Sequence, residues 1–293
     1  LVGTALEKLL KKEKVNLFKP KKRIDLRIQS NVKKIFKKNK IDIVFLLAAK
    51  VGGIYANSTY PGQFIYDNLM IETNIIHESY ENKVKKLIFL GSSCIYPKNT
   101  KTPIKEKALL SGYLEKTNEY YAIAKIAGIK MCEAYFKEYN ANFISVMPTN
   151  IYGPNDNFHS KNSHVIPALI KKVFEAKKQN NPFVTIWGTG TPKRELLFVD
   201  DCASALIYIA KNYNKNELIN IGSGEELSII FILKIIMKKL NYKGEIKHDL
   251  KMPDGQFQKK LNIMKINKLG WKAKYKFKDG LSKTIDWYLK EFN

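Results

Sequence analysis

A short apolar strand that ends in two serines constrains this fold more than any other stretch of the chain. Residues 87–90 (LIFL) carry no polar side chain, and residues 91–93 (GSS) follow them at once. An unbroken apolar run of this length is typical of a parallel strand that is buried on both faces. Because open α/β sheets bind ligands at the carboxyl ends of their strands, the sequence predicts that Ser92 lies at a ligand-binding edge.

A helix predicted after this strand begins at Tyr121 and carries Lys125 one turn later. Residues four apart lie on one face of a helix, so the ammonium group can lie close to the phenol. A tyrosine with an ordinary pKa of about 10 needs such a charge to exchange a proton near neutral pH. With 16 Tyr and 51 Lys plus Arg in 293 residues, this spacing alone also arises by chance. Preceded by the serine-ended strand, it resembles the Ser-Tyr-Lys triad of extended short-chain dehydrogenases.

Strands and helices alternate along the first half of the chain, which predicts a doubly wound parallel sheet of the Rossmann type. The pattern loosens after residue 154. We therefore expect a dinucleotide-binding domain over residues 1–154 and mainly a smaller substrate-binding lobe over 155–293, with some segments returning to the sheet. The predicted helices are 5–13, 32–38, 62–80 and 121–137, and the predicted strands are 15–18, 43–48, 87–90 and 143–147.

The glycine-rich turn that opens a dinucleotide-binding fold is missing from this sequence. Only Gly3 could be its last glycine, and the chain begins at Leu1, so we expect a fragment that has lost its first strand. Residues 19–23 (KPKKR) follow the second predicted strand, and Ile28 stands where an acidic residue would be expected. Positive charge there suits a ribose 2′-phosphate, so the turn predicts NADP rather than NAD, unless it only shares the lysine excess of the whole chain.

Composition and charge argue against nucleic-acid binding, membrane insertion, metal binding and a disulfide framework. The net charge is +24, but the lysines are spread in pairs through nearly every helix, and no nucleic-acid-binding module accompanies them. We therefore expect no nucleic-acid partner. No run of about eighteen apolar residues or signal peptide is present, and the three cysteines lack metal-ligand spacing. The sequence predicts a cytoplasmic protein with no membrane contact, no metal and no disulfide framework.

Six motifs then occur in order, and together they resemble the GDP-L-fucose synthase family of extended short-chain dehydrogenases. That family epimerises GDP-4-keto-6-deoxy-D-mannose at C3 and C5, reduces it at C4 with NADPH to GDP-L-fucose, and works as a homodimer through paired long helices. The resemblance covers the chain apart from the lost first strand and weakens after about Ser223. The motifs are residues 48–54 (AAKVGGI), 91–97 (GSSCIYP), 121–128 (YAIAKIAG), 147–150 (MPTN), 162–168 (NSHVIPA) and 187–190 (WGTG).

The resemblance implies a catalytic role for each of five residues. Ser92 would polarise the 4-keto oxygen, Tyr121 would donate its proton, and Lys125 would also hold the nicotinamide ribose. Cys94 and His164 would be the epimerisation pair. Inversion beside a ketone requires a group that removes a proton from one face and a group that returns one to the other. On position alone, His164 would be a surface histidine at the start of a helix.

The resemblance also implies binding residues. Cofactor contacts would come from Gly3, Leu90, Gly91, Ser92, Ser93, Lys125, Pro148, Thr149, Asn150, Ile151 and His164. Substrate contacts would come from Lys172, Trp187, Arg194 and Asp254. The alternatives are another extended-family nucleotide-sugar enzyme, either a 4-epimerase or a 4,6-dehydratase, and a non-catalytic NADP-binding relative. A dehydratase would carry an acid-base carboxylate pair near the strand end, where this chain has Cys94.

Overall fold

The strand that contains residues 87–90 is buried on both faces of its sheet. The computed structural model describes residues 1–19, 24–159, 163–251, 254 and 257–292. Leu87 and Phe89 point into a core shared with the long helices, whereas Ile88 and Leu90 point into a second core on the opposite face. Burial on both faces explains why residues 87–90 carry no polar side chain. The parallel sheet has the order β1 (Ile43–Leu46), β2 (Lys86–Leu90), β3 (Phe143–Pro148) and β7 (Ile219–Ile221).

Helices cover both faces of this sheet. The two long helices lie side by side on one face, and their apolar residues pack with Leu87 and Phe89. The long helix predicted over 62–80 is confirmed, and its proline lies at the first helical position, where a missing N–H costs no hydrogen bond. The helices of this half are α1 (Val2–Leu10), α2 (Gln29–Lys38), α3 (Ile54–Thr59), α4 (Pro61–Glu81) and α5 (Glu119–Tyr139).

The C-terminal half combines two small sheets with further helices. The elements are β4 (Asn150–Tyr152), α6 (Val165–Lys178), β5 (Phe183–Trp187), β6 (Lys193–Phe198), α7 (Val199–Asn212), β8 (Glu226–Ser228), α8 (Ile229–Lys239), β9 (Glu245–Asp249), α9 (Met264–Lys268) and α10 (Phe277–Phe292). Strand β6 pairs in parallel with β4 and antiparallel with β8, while β5 pairs in parallel with β9. Strand β7 also comes from this half, so both halves contribute to the main sheet.

The prediction of a parallel α/β fold is confirmed, but the strand predicted over 15–18 is wrong. Those residues form no strand, and the side chains of Val15 and Phe18 are exposed. A strand needs a neighbour for its backbone groups. Among the described residues, however, β1 pairs with β2 alone, which leaves its other edge unpaired. Residues 20–23, most of the basic turn, lie outside the described part of the chain. Within that part, none of the helices combines the length and apolar composition needed to cross a membrane.

Candidate active site

Strand β2 ends in a tight turn that brings Ser92 and Cys94 together. Ser92 has an extended backbone, and its Oγ accepts a hydrogen bond from the backbone N–H of Cys94 at 3.3 Å. The serine thereby caps the short 3₁₀ turn that follows and fixes the cysteine beside it. A Cβ atom added at Gly91 would collide with the Met147 thioether on β3. A larger residue at this position would have to displace the end of the Met147 side chain.

Helix α5 presents Tyr121 and Lys125 on one face, as predicted. The Lys125 Nζ lies 5.9 Å from the centroid of the Tyr121 ring. Burial raises the pKa of Tyr121 well above its ordinary value, the charges of Cys94 and Glu72 raise it further, and a hydrogen bond with Ser92 lowers it. The strand-end serine, the cysteine, the tyrosine and the lysine therefore meet at one place.

A carboxylate that the sequence analysis missed binds the lysine. Glu72 on α4 places Oε1 2.9 Å from Lys125 Nζ, and both side chains are at most 2% exposed. The same ammonium group donates to the Leu90 carbonyl at 3.1 Å and lies 4.7 Å from the Phe89 ring centroid. The available signal was an acidic residue within the apolar stripe of a long helix. A buried charge of this kind requires a partner.

A glycine on α5 allows this contact. A Cβ atom added at Gly128 would lie 2.7 Å from Glu72 Oε2 and 2.7 Å from Phe89 Cζ. Real Cβ atoms do not approach other atoms so closely, so any larger residue would displace the glutamate or the ring. The glycine therefore has a packing reason, because it lets α4 bring its carboxylate against α5.

A second lysine, also missed from the sequence, influences Cys94. Burial raises the pKa of the Cys94 thiol, and the positive charge of Lys259 opposes this more than the Ser92 hydrogen bond or Lys125 does. The backbone beside Lys259 is fixed, because Ile104 N donates to Lys260 O and Leu261 N donates to a carboxylate oxygen of Glu195, both at 2.8 Å. Among 51 basic residues, nothing in the sequence marks Lys259.

The residues predicted to contact a cofactor lie mainly at two neighbouring strand ends. Residues 90–93 follow β2, and residues 148–151 join β3 to β4. Thr149 is fixed by two hydrogen bonds, from its N–H to Ile221 O at 3.0 Å and from its Oγ1 to Glu195 O at 2.9 Å. Gly3 lies in the first turn of α1. A Cβ atom added there would meet nothing within 4 Å, so close packing does not require a glycine.

His164 directly precedes α6. Part of its surface is exposed, and burial of the rest by the surrounding chain lowers the pKa of its ring. Within the described residues, no hydrogen bond joins its side chain to Cys94, Ser92 or Tyr121. Asn162, which opens the motif containing this histidine, lies outside the described part of the chain.

The residues predicted to bind substrate form a second group around the Trp187 turn. Trp187 is 48% exposed, so a face of its ring is open to solvent. The Lys172 Nζ lies 5.5 Å from that ring's centroid and donates to Thr185 O at 3.2 Å, and burial lowers its pKa. Asp254 accepts hydrogen bonds from Thr189 N at 2.7 Å and from Thr189 Oγ1 at 2.9 Å.

Arg194 lies on β6, and the charge of Asp254 in this group acts on its guanidinium. Burial lowers the pKa of the guanidinium, whereas the carboxylates of Asp254 and Glu226 raise it. One guanidinium nitrogen donates to the Lys193 carbonyl at 2.8 Å. Lys172, Trp187 and Arg194 thus combine two cations with an exposed aromatic face, which suits an anionic ligand that carries a planar base. No cluster of metal-ligating side chains occurs among the residues that the structure describes.

Comparison with known proteins gives consistent results. Residues 1–222 match the family described as the NAD dependent epimerase/dehydratase family. GDP-L-fucose synthase 1 of Arabidopsis thaliana is 49% identical over 292 residues, which cover 99% of this chain and 90% of that protein. The structure of a GDP-L-fucose synthetase from Naegleria fowleri bound to NADP superposes with a TM-score of 0.91 at 32% identity and covers 99% of this chain and 90% of that one. MlghC, a GDP-mannoheptose C4 reductase from Campylobacter jejuni with NADP bound, has a TM-score of 0.89 at 37% identity, with 98% and 95% covered.

Proposed function

We propose that this chain, which belongs to the NAD dependent epimerase/dehydratase family, converts GDP-4-keto-6-deoxy-D-mannose into GDP-L-fucose. The conversion consists of 3,5-epimerisation followed by NADPH-dependent reduction at C4. One observation carries the proposal: Ser92, Cys94, Tyr121 and Lys125 lie together in a chain that is 49% identical, over nearly its whole length, to a GDP-L-fucose synthase. A group that can remove a proton from carbon and a group that can protonate a ketone thus lie side by side.

The reduction uses Ser92 and Tyr121 at the 4-keto oxygen. NADPH, when bound, supplies the hydride that C4 receives. The Ser92 hydroxyl donates a hydrogen bond to the ketone oxygen, and Tyr121 gives that oxygen its phenolic proton. Burial raises the pKa of Tyr121, which keeps the phenol protonated before this step. A protonated tyrosine is what ketone reduction requires, since the product alcohol must gain a proton.

The epimerisation uses Cys94 as the base. Its thiolate takes a proton from a carbon beside the ketone, and the Ser92 hydroxyl stabilises the negative charge that moves onto the 4-oxygen. Lys259 supports this role, because its charge lowers the pKa of the thiol against the effect of burial. His164 returns a proton to the opposite face. The lowered pKa of His164 favours its neutral form. The histidine must therefore take up a proton from solvent before it can act as this acid.

The nicotinamide half of the cofactor fits the strand ends described above. Lys125 would hold the nicotinamide ribose, and the backbone of residues 90–93 and 148–151 would line the ring. The sequence contains no glycine-rich fingerprint. The preference for NADP draws on the basic residues 19–23 and on the NADP that the related structures contain.

The nucleotide end of the substrate would occupy the group around Trp187. The base stacks on the exposed indole face, and the Lys172 ammonium and the Arg194 guanidinium neutralise the pyrophosphate. Asp254 holds the turn through Thr189, so its contribution includes the shape of the pocket as well as any direct contact. Within this scheme, residues 1–154 form the cofactor-binding domain and most of residues 155–293 form the substrate lobe.

A homodimer through α4 and α5 accords with the surface of these helices. Tyr66 on α4 is 58% exposed, and Tyr120 and Ile123 on α5 are 47% and 40% exposed. Exposed apolar side chains on adjacent helices are typical of a face that a second copy covers. A cytoplasmic location fits the three cysteines, which are buried and unpaired. Light scattering at several concentrations tests the dimer, and Tyr66→Lys should convert it to a monomer.

Product analysis in heavy water tests the proposed reaction. The chain, GDP-4-keto-6-deoxy-D-mannose and NADPH should yield GDP-L-fucose that carries deuterium at C3 and C5. Tyr121→Phe should abolish reduction but retain deuterium exchange, because exchange requires only the base and a polarised ketone. A reduced sugar of unchanged configuration without deuterium would instead assign a simple C4 reductase.

A further inference from the structure

The turn that carries Cys94 is held only weakly by its own hydrogen bonds. The backbone N–H groups of Cys94, Ile95 and Tyr96 donate within the turn at 3.3, 3.4 and 3.3 Å. These lengths exceed the usual range of about 2.7–3.2 Å for N–H···O bonds. Contacts from outside the turn are therefore needed to keep the thiol in one position.

A short hydrogen bond ties the end of this turn to β7. The Tyr96 hydroxyl donates to Asn220 Oδ1 at 2.6 Å, and the two residues are 2% and 0% exposed. Asn220 is the polar residue of a three-residue strand whose other members, Ile219 and Ile221, are also fully buried. Because groups buried this deeply have no water to replace a lost partner, the bond holds Tyr96 against the main sheet, two residues after Cys94.

The other side of the Asn220 amide is also bonded. Its Nδ2 donates to Ile104 O at 3.1 Å and to Asn262 O at 3.2 Å. With the amide turned over, its oxygen would face these two carbonyl oxygens, so the orientation that accepts from Tyr96 is the one that satisfies every group. Asn262 N in turn donates to Ile104 O at 2.8 Å. Asn220 thus ties the Cys94 turn to two further segments that are bonded to each other.

One of these segments carries Lys259, whose charge lowers the pKa of the Cys94 thiol against the effect of burial. Residues 260–262, next to this lysine, pair with Ile104 through two hydrogen bonds of 2.8 Å. Asn220 therefore connects the turn of the thiol with the segment of the cation. Stability alone does not require this arrangement, because two apolar side chains could fill the same space without the cost of burying an amide and a hydroxyl.

We propose that Asn220 is a positioning residue for Cys94, which it holds in place through the Tyr96 hydroxyl. The benefit to the enzyme rests on the proposed function. In the epimerisation, a C–H bond beside the ketone breaks, its proton goes to the thiolate sulfur, and its electron pair enters the enolate. This transfer requires the sulfur at a short and constant distance from that hydrogen, so a fixed turn speeds the step.

Amide hydrogen exchange, followed by mass spectrometry, tests the hold on the turn without any substrate. Tyr96→Phe removes one hydroxyl and leaves the other bonds of Asn220 in place. We expect the amides of residues 94–96 to exchange about tenfold faster, as the loss of one buried hydrogen bond implies. Tyr242→Phe is the matched control, since Tyr242 is 8% exposed, packs in a different core cluster and donates to Asn181 O at 2.9 Å. Unchanged exchange in Tyr96→Phe, or an equal increase in the control, would overturn the inference.

The functional readout is the rate at which the sugar gains deuterium at C3 and C5. In Tyr96→Phe the kcat of this exchange should fall about tenfold to a hundredfold, as misplacement of a catalytic group implies. Its KM should stay near that of the wild type, because the group around Trp187 is unchanged. Tyr242→Phe loses a comparable buried bond and should keep both constants, whereas a merely structural role predicts the same kcat in the two variants. A folded Tyr96→Phe protein with the wild-type kcat would refute the idea.

Asn220→Ala approaches the same bond from the other strand. This variant also loses the bonds to Ile104 and Asn262, so its kcat should fall at least as far as that of Tyr96→Phe, and a wild-type kcat would again refute the idea. If Asn220→Ala does not fold, Tyr96→Phe alone decides. If the wild type shows no deuterium exchange into the sugar, the proposed function fails, whereas amide exchange still decides whether Asn220 holds the turn.

Discussion

Replacing Gly128 with alanine should destabilise the protein, although alanine is the better helix former. The new Cβ atom would lie 2.7 Å from Glu72 Oε2 and 2.7 and 2.9 Å from two carbons of the Phe89 ring. Both neighbours are fully buried, so neither moves without disturbing the packing of α4 against β2. Overpacking of this kind costs about 1–3 kcal/mol, whereas Gly→Ala in a helix contributes about 0.5–1 kcal/mol in the opposite direction. The net loss should be about 1–2 kcal/mol.

Gly62→Ala provides the matched control for this measurement. Gly62 lies in α4, and a Cβ atom added there meets nothing within 4 Å, so only the helix-propensity term applies and the variant should be as stable as the wild type or slightly more stable. Unfolding by urea gives the difference in free energy between the two variants, and thermal unfolding should follow it at about 2–4 °C per kcal/mol. If the Gly128 variant is as stable as the Gly62 variant, the close approach of the two long helices is not as described.

The other predictions concern the chemistry. Cys94→Ser should lose deuterium exchange at C3 and C5, because the serine hydroxyl keeps the shape of the thiol but has a far higher pKa. The variant should still reduce the unepimerised sugar slowly. Normal formation of GDP-L-fucose by this variant would assign another base. Lys259→Met should shift the rise of the deuterium-exchange rate to higher pH, because the charge that lowers the pKa of Cys94 is lost. Lys259→Arg keeps that charge and should leave the pH dependence near that of the wild type. The same pH dependence in both variants would show that Lys259 does not lower the pKa of Cys94. NADPH should bind more tightly than NADH in fluorescence titrations, and equal affinities would remove the argument from the basic residues 19–23.

Local sequence patterns determined the elements that carry the site. The apolar run over residues 87–90, followed at once by glycine and two serines, indicated a buried strand, because a parallel strand covered on both faces carries apolar residues in succession. The apolar stripe of residues 62–80 and the four-residue spacing of Tyr121 and Lys125 follow from helical periodicity, and α4 and α5 have that form. The prediction that Ser92 lies at the ligand-binding edge followed from the rule that open parallel sheets bind ligands at the carboxyl ends of their strands.

The contacts that give these residues their chemistry were decided by the tertiary structure. Glu72 contacts Lys125, and Lys259 influences Cys94, only because segments far apart in the chain are packed together. The position of Glu72 in an apolar stripe shows that it needs a partner but does not say which one, and the neighbours of Lys259 do not distinguish it from other lysines. The error over residues 15–18 has the same physical origin: an apolar run becomes a strand only when another strand pairs with its backbone. Periodicity is a local property that one segment carries alone, whereas a charge pair or a strand pairing depends on two segments that meet only in the folded chain.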